Sequence, residues 1–521
     1  MALTLRDVAA TSTTVAATSS KKAKVAHLAE LLRRADDDEL PVAVALLAGA
    51  PRQGRVGVGW ALLRAITTDP DIPGGTRTVV ELDRLLDELA GLTGEGSSAA
   101  RSARLADFFA TAASDEVDLV RQLLLGGLRQ GALEGLVLDA LAAATDTTPV
   151  AVRRALMLAG DLSAVATVAR TGGTAGLDAV GLTVGRPLRP MLAATSADVA
   201  TAVGELGTAS VEWKVDGARV QVHRNGDDVS VFTRNLNDIT ARVPEVVALV
   251  RTLPVRATVL DGELIGLSEG DAEQLAPHLF QDTISRFARH RAEPASFALT
   301  PFFFDCLHRD GQDLVDATLR ERLHHLDAVA GGHAVTRIVT DDIGAATAFS
   351  DDALRRGHEG VMVKAIDAPY AAGRRGAAWR KVKPVRTLDL VVLAAEWGHG
   401  RRQGWLSNLH LGARHPHEPD RFVMVGKTFK GLTDALLRWQ TEQLLARQLD
   451  TKGITVFVRP ELVVEIALDG VQRSVRYPGG VALRFARVRR YRDDKAPAEA
   501  DTIDAVRALL AGPDTAGDEG P

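Results

Sequence analysis

The sequence predicts a multidomain protein: an all-α N-terminal domain, an α+β central domain and a small C-terminal β-barrel. Three observations lead there. From about Lys21 to Asp178 the chain is rich in Ala and Leu at helical spacing. Two close prolines, Pro187 and Pro190, then interrupt it. Beyond them short apolar runs of strand type alternate with helical stretches. A length of 521 residues, 46% hydrophobic and 25% charged, is globular composition and suffices for roughly three domains.

In the first region Val25 to Arg34 and Asp118 to Gly127 carry apolar residues three and four apart, as one face of a helix requires. Breaks at Ala50 to Gly54, Pro70 to Gly75, Gly94 to Ser98 and Gly172-Gly173 divide the region into several helices, and no fixed-period repeat occurs. Val184 to Pro190 reads as a linker, since two prolines so close hold the backbone extended. A new domain starts near Met191. Its predicted strands include Ala218 to Arg224, Val229 to Thr233 and Thr258 to Leu260, with a helix over Arg320 to Val329 and an end near Lys383. After Pro384, Leu390 to Ala394, Arg421 to Val425 and Leu462 to Ala467 read as strands, with one helix over Asp434 to Gln448. The domains are therefore 1–185, 186–383 and 384–511, and the acidic Gly/Pro-rich tail 512–521 is expected to be disordered.

Composition narrows the function. No signal-peptide pattern and no bilayer-length apolar run is present, so a soluble cytoplasmic protein without membrane association is expected. The single cysteine, Cys306, excludes an internal disulfide framework, and its apolar surroundings from Pro301 to Leu307 suggest a buried inert thiol. The net charge of -5 argues against a protein that coats nucleic acid uniformly. The charge is unevenly spread, however: Arg386 to Lys495 holds 19 basic and 12 acidic residues, an excess of seven suited to phosphate contacts.

The chemistry centres on Glu212-Trp213-Lys214-Val215-Asp216-Gly217-Ala218-Arg219. A lysine amine attacks phosphorus only when deprotonated, so a nucleophilic lysine needs surroundings that lower its pKa. Taken alone, Lys214 beside Asp216 reads equally as a solvated surface pair. Lys381 and Lys383 alternate with Arg380 and Val382 along a predicted strand, which aims both ammonium groups at one side, where an anion would relieve their repulsion. Near the C-terminus Arg484, Arg487, Arg489, Arg490, Arg492 and Lys495 form a dense basic cluster.

Taken in order, these segments resemble the covalent nucleotidyltransferase superfamily, specifically its ATP-dependent DNA ligases. Lys214-Val215-Asp216-Gly217 looks like the first motif. Thr233-Arg234-Asn235, Val259 to Glu263, Phe303-Phe304-Asp305, Glu359 to Lys364 and Trp379 to Lys383 resemble the next elements in sequence, and Leu483 to Lys495 resembles the ligase-specific final motif. Ala486 stands where proline is typical of that motif. The resemblance implies an ATP-grasp-like adenylation domain, an OB-fold after it and a helical DNA-binding domain before it. It also implies roles. Lys214 would be the nucleophile that carries AMP, with Glu212 and an aromatic ring around the adenine; the ring is Phe304, or Phe303 if the strand register differs by one. Arg219, Arg234 and Arg375 would contact ribose or phosphates, and Glu263 and Glu359 would position magnesium. Lys381 and Lys383 would stabilise the α-phosphate, and the final motif, with Arg484 and Lys495, would dock over the triphosphate.

The implied activity is sealing of nicks in double-stranded DNA by a monomer, through lysine-AMP and DNA-adenylate intermediates, in replication, repair or recombination. An RNA ligase or capping enzyme is the nearest competitor, but those relatives generally lack such a helical domain. Nicotinamide-dependent ligases carry zinc-binding cysteines, which one cysteine cannot supply. A non-catalytic clamp would not need a nucleophile flanked by metal ligands.

Overall fold

A computed structural model describes residues 2–66, 76–128, 130–131, 134–267, 298–371, 375–418 and 420–510, with backbone alone at 267 and 375–377. Among the described residues ten helices run between Leu5 and Asp178. Side chains at their starts accept from N–H groups that the helix cannot pair: Thr4 from Asp7, Ser20 from Ala23, Thr78 from Glu81 and Thr148 from Ala151. Helices Lys21–Arg34 and Ser114–Leu124 coincide with the two segments whose spacing predicts them. Their apolar faces share one core around Leu28, Leu32, Leu46, Leu82, Leu86 and Leu141. The predicted break at Gly172-Gly173 is present as a kink. Gly172-Gly173 lies inside Leu162–Asp178, where Gly173 alone leaves the helical backbone (φ 57°, ψ −151°). Pro70 to Gly75 lies outside the described residues.

The Pro187–Pro190 stretch forms neither helix nor strand, yet it is anchored. Leu188 N–H donates to Gln221 Oε1 (2.7 Å) and Gly185 N–H donates to His223 Nδ1 (3.0 Å). An accepting Nδ1 requires a neutral imidazole, and burial together with the nearby His308 pushes the His223 pKa down to about 3.

Two five-stranded sheets build the central domain. Its strands are β1 (Leu192–Thr195), β2 (Ala209–Trp213), β3 (Ala218–Asn225), β4 (Asp228–Thr233), β5 (Ala257–Leu267), β6 (Ala298–Arg309), β7 (Gln312–Asp313), β8 (Arg337–Thr340), β9 (Val361–Ala365) and β10 (Arg375–Val382). One sheet has the order β1-β10-β9-β2-β8 and the other β4-β3-β5-β6-β7. Helices Val199–Leu206 and Ile343–Arg355 cover the outer face of the first around Val203, Val211 and Val363. Helices Pro244–Thr252 and Leu319–Ala330 cover the second around Val246, Leu260 and Leu323. Val259, Leu307, Tyr370, Trp379, Phe304 and Met362 pack into a separate cluster that joins residues of both sheets. Because β2 and β3 belong to different sheets, Lys214 to Gly217 carry the chain from one to the other.

Only Lys383 to Val385 separate β10 from the C-terminal sheet. Its strands are β11 (Arg386–Trp397), β12 (Leu406–Arg414), β13 (Phe422–Thr428), β14 (Gln448–Lys452), β15 (Thr455–Val458), β16 (Val463–Leu468) and β19 (Arg487–Tyr491), with β17 (Gly470–Arg473) and β18 (Val481–Arg484) as a separate pair. Strand β11 pairs with β16 through its first half and with β15 through its second. The sheet curls until Val488 N–H of β19 donates to the Lys430 carbonyl just past β13 (2.9 Å). Helix Asp434–Leu445 packs Leu437 and Leu444 into the resulting core. Among the described residues no single helix is long and apolar enough to cross a membrane.

Candidate active site

Two glycines let the strands around Lys214 approach closely. A Cβ on Gly217 would lie 2.2 Å from the Leu264 carbonyl oxygen, and one on Gly360, whose φ is 137°, would lie 2.2 Å from that of Val382. Lys214 N–H donates to the Gly360 carbonyl (2.9 Å), and Glu359 N–H donates to the Lys214 carbonyl (3.1 Å). Main-chain bonds thus fix the predicted nucleophile against the predicted metal ligand. The side chains complete the contact: the Lys214 and Lys383 ammonium groups each bond one oxygen of the Glu359 carboxylate.

Burial lowers the Lys214 pKa, against the opposing pull of the Glu263 and Asp216 carboxylates. Burial, with Lys214 next, also pushes Lys383 down to about 8. The Glu263 carboxyl is pushed up to about 7, again by burial. An amine that gives up its proton more readily is the better nucleophile, so the surroundings of Lys214 favour attack on an electrophile. The C-terminal sheet takes part as well. Arg484 Nη1 is 3.4 Å from Asp216 Oδ2, and Lys383 Nζ is 3.9 Å from Asp469 Oδ2.

A buried polar cluster lies on the other side of the inter-sheet space. Glu212 and Lys364, 2% and 1% exposed, form an ion pair at 2.5 Å, and Ser210 Oγ donates to the second Glu212 oxygen (2.9 Å). Lys364 Nζ also donates to the Phe304 carbonyl (3.2 Å) and sits 4.4 Å from the centres of both the Phe304 and Trp379 rings. The two phenylalanines have separate tasks. Phe303 pairs with Gly262 and is fully buried in the core behind the sheet. Phe304 is the extra residue of a bulge, skipped between the Asp261–Asp305 and Gly262–Phe303 pairs, and it stays half-buried on the Lys364 side. The bulge thus turns Phe304, and not Phe303, toward Lys364.

Models of three segments match the chain: the DNA ligase N terminus at residues 67–142, the ATP dependent DNA ligase domain at 190–383 and the ATP dependent DNA ligase C terminal region at 402–495. A probable DNA ligase of Rhodococcus jostii is 55% identical over 509 residues, which cover 97% of this chain and 99% of that protein. The chain belongs to the ATP-dependent DNA ligases. A probable DNA ligase of Saccharopolyspora erythraea is 54% identical over 99% of both chains. The solved structure of Pmar-Lig_PreS3, 18% identical, has the same fold over 93% of this ligase and 99% of that chain, with a TM-score of 0.60. The ligase is thus a multidomain enzyme with a helical N-terminal region, a nucleotidyltransferase core and a C-terminal sheet domain.

Other predicted residues have contacts of their own. Lys495 pairs with Asp389 (2.6 Å) inside the C-terminal sheet, together with Arg492 (2.8 Å), so in this arrangement of the ligase its charge is spent within that sheet. Arg219 is also engaged: it holds Asp261 through two bonds (3.0 and 2.7 Å) and donates to the Met191 carbonyl (2.7 Å). Most of its donors are thereby taken within the central domain, and a ribose or phosphate contact would fall to those that remain. Arg234 has an exposed side chain and its N–H donates to the Arg219 carbonyl (3.1 Å). Lys381 lies on β10 opposite Met362, two residues after Trp379 and on the same side of the strand. Arg375 begins β10 opposite Leu192, and its side chain lies outside the described residues.

Sequence reasoning gave no role to Lys364, Tyr370 or Asp469. Lys364 ends a quoted motif and was within reach of it. Tyr370, whose hydroxyl donates to Asp261 (2.7 Å) and accepts from Met191 N–H (3.0 Å), belongs to no recognised motif.

Proposed function

We infer that the ligase seals nicks in duplex DNA through a covalent lysine-AMP. The Lys214 amine attacks the α-phosphorus of ATP, forming a P–N bond as the bond to pyrophosphate breaks. A 5'-phosphate oxygen at the nick then attacks the same phosphorus and frees Lys214. Last, the 3'-hydroxyl oxygen attacks the 5'-phosphate and expels AMP. The observation that carries this reading is the meeting of Lys214 and Lys383 on Glu359, with Arg484 reaching Asp216 from the C-terminal sheet. These cations suit a triphosphate whose charge shifts during the attack.

Glu212 would accept from the adenine amino group and Phe304 would stack on its ring. Among the described residues no group of three or more His, Cys, Asp or Glu could cage a metal. Two carboxylates completed by phosphate oxygens are what magnesium accepts, so Glu263 and Glu359 fit it; bound there, it would neutralise phosphate charge. Residues 1–185 would grip duplex DNA by its phosphates, and the curled sheet of 384–511 would serve as an OB-fold on the opposite side. A cytoplasmic monomer is the working form on this reading.

Incubation with α-labelled ATP and magnesium should leave an acid-labile, alkali-stable label on the chain. A wild type that takes no label, or a Lys214→Ala variant that still does, would defeat the reading. Efficient sealing of nicked RNA without sealing of nicked DNA would replace the substrate with RNA.

A further inference from the structure

We propose that Asp469 is a positioning residue that stands in for the nucleotide's phosphates, holding the C-terminal sheet against Lys383 until the triphosphate takes its place. The inference rests on the function proposed above. Asp469 occupies the turn between β16 and β17, and its N–H donates to the Arg484 carbonyl (3.0 Å). That bond ties its position to the arginine that reaches Asp216. Its carboxylate lies between cations of two domains: Oδ2 is 3.9 Å from Lys383 Nζ, and Oδ1 is 3.7 Å from Arg487 Nη1.

Lys383 and Arg487 both belong to segments that would face the phosphates during self-adenylation. An anion between them therefore sits where those phosphates would draw on the same charges. Distances of 3.7 to 3.9 Å are those of ion pairs without a tight hydrogen bond, and the carboxylate is 28% exposed. Such pairs exchange partners at small cost. A triphosphate with several negative charges can displace this carboxylate from Lys383 without leaving a buried ion unpaired. In the absence of nucleotide, Asp469 instead stops Lys383 and Arg487 from repelling each other and so keeps the two domains together. The contact is thus a placeholder that competes: it occupies Lys383 and Arg487 before ATP arrives and raises the ATP concentration needed to displace it.

The test uses the full chain, with lysine-AMP formation followed against ATP concentration in magnesium, for wild type, Asp469→Asn and Asp469→Glu. Removing one partly exposed pair should lower the KM for ATP roughly three- to fivefold, with the rate at saturating ATP within about twofold of wild type. Asp469→Glu, which retains the charge, should restore a KM near that of wild type. A second readout needs no catalysis. Without ATP, protease cleavage at the exposed connection Pro384-Val385 should be faster in Asp469→Asn than in wild type, and saturating ATP should remove the difference. An unchanged or raised KM in Asp469→Asn, or equal cleavage without ATP, overturns the proposal. A wild type that forms no lysine-AMP would instead defeat the function reading itself.

Discussion

Replacing Lys364 by methionine tests the buried end of the site, because it removes one partner of an ion pair that water does not reach. Glu212 and Lys364 are 2% and 1% exposed and 2.5 Å apart, so Lys364→Met strands a carboxylate with only the Ser210 hydroxyl as a partner. Breaking a fully buried pair in this way costs about 3–5 kcal/mol. For a domain of about 200 residues that corresponds to a fall in Tm of roughly 6–20 °C. Scanning calorimetry of the full chain would register it as an early transition of the central domain. The double variant Glu212→Gln, Lys364→Met removes both charges and should recover at least half of the loss. The two variants part company in function. If Glu212 recognises the adenine, the double variant keeps a raised KM for ATP even as its stability returns. A Lys364→Met protein that melts within about 2 °C of wild type would refute the reasoning, since it would mean that Glu212 carries no stranded charge. Recovery of stability and KM together would remove the adenine role from Glu212.

Two further predictions concern the Lys214 side. Gly217→Ala places a Cβ 2.2 Å from the Leu264 carbonyl oxygen, so the turn must shift by about an ångström, enough to slow lysine-AMP formation on the order of a hundredfold; a rate within twofold of wild type would show that the turn tolerates the methyl. To hold magnesium as proposed, Glu263 would have to lose its proton, and its pKa is pushed up to about 7. A raised carboxyl pKa means that protons compete below that value, so the magnesium concentration for half-maximal lysine-AMP formation should rise toward about tenfold per pH unit below pH 7 and level off above it. A flat requirement between pH 6 and 8 would remove Glu263 from the metal site.

The parts of this ligase that were legible in the sequence are those encoded locally. Helix spacing located Lys21–Arg34, alternation located β3 and β4, and the apolar run around Cys306 marked a buried thiol whose pKa burial pushes up to about 12. The segments around Lys214, Glu359 and Lys383 were legible because each bears its chemistry within a few residues. What the chain did not disclose depends on pairing across the fold. The choice between Phe303 and Phe304 rests on a bulge in β6 opposite β5, which no alternation rule foresees. The partners of Arg219, Asp261 and Tyr370, are remote in sequence, so its internal bonds are not legible there. Nor does the basic run from Arg484 to Lys495 disclose that its ends take separate partners: Arg484 ends β18 and lies against Asp216, while Lys495 follows β19 and pairs with Asp389.

These pairings have a common consequence for binding. Lys214 and Lys383 are held by Glu359, Arg484 lies against Asp216, Lys364 against Glu212 and Arg219 against Asp261. Each of these cations that the mechanism would turn toward phosphate, or that lines the adenine side, already has an internal carboxylate. At these cations nucleotide would exchange with carboxylates already in place. Glu359, shared by two of these lysines, would make the exchange directional. On the proposed function, if Glu359 turned to hold magnesium with the triphosphate, both lysines would lose their shared anion together, and the nearest replacement would be the phosphate that Lys214 would attack. The carboxylate that restrains the nucleophile before ATP arrives would in this way couple metal binding to its release, and a Glu359→Gln variant should weaken magnesium dependence and lysine-AMP formation together rather than either alone.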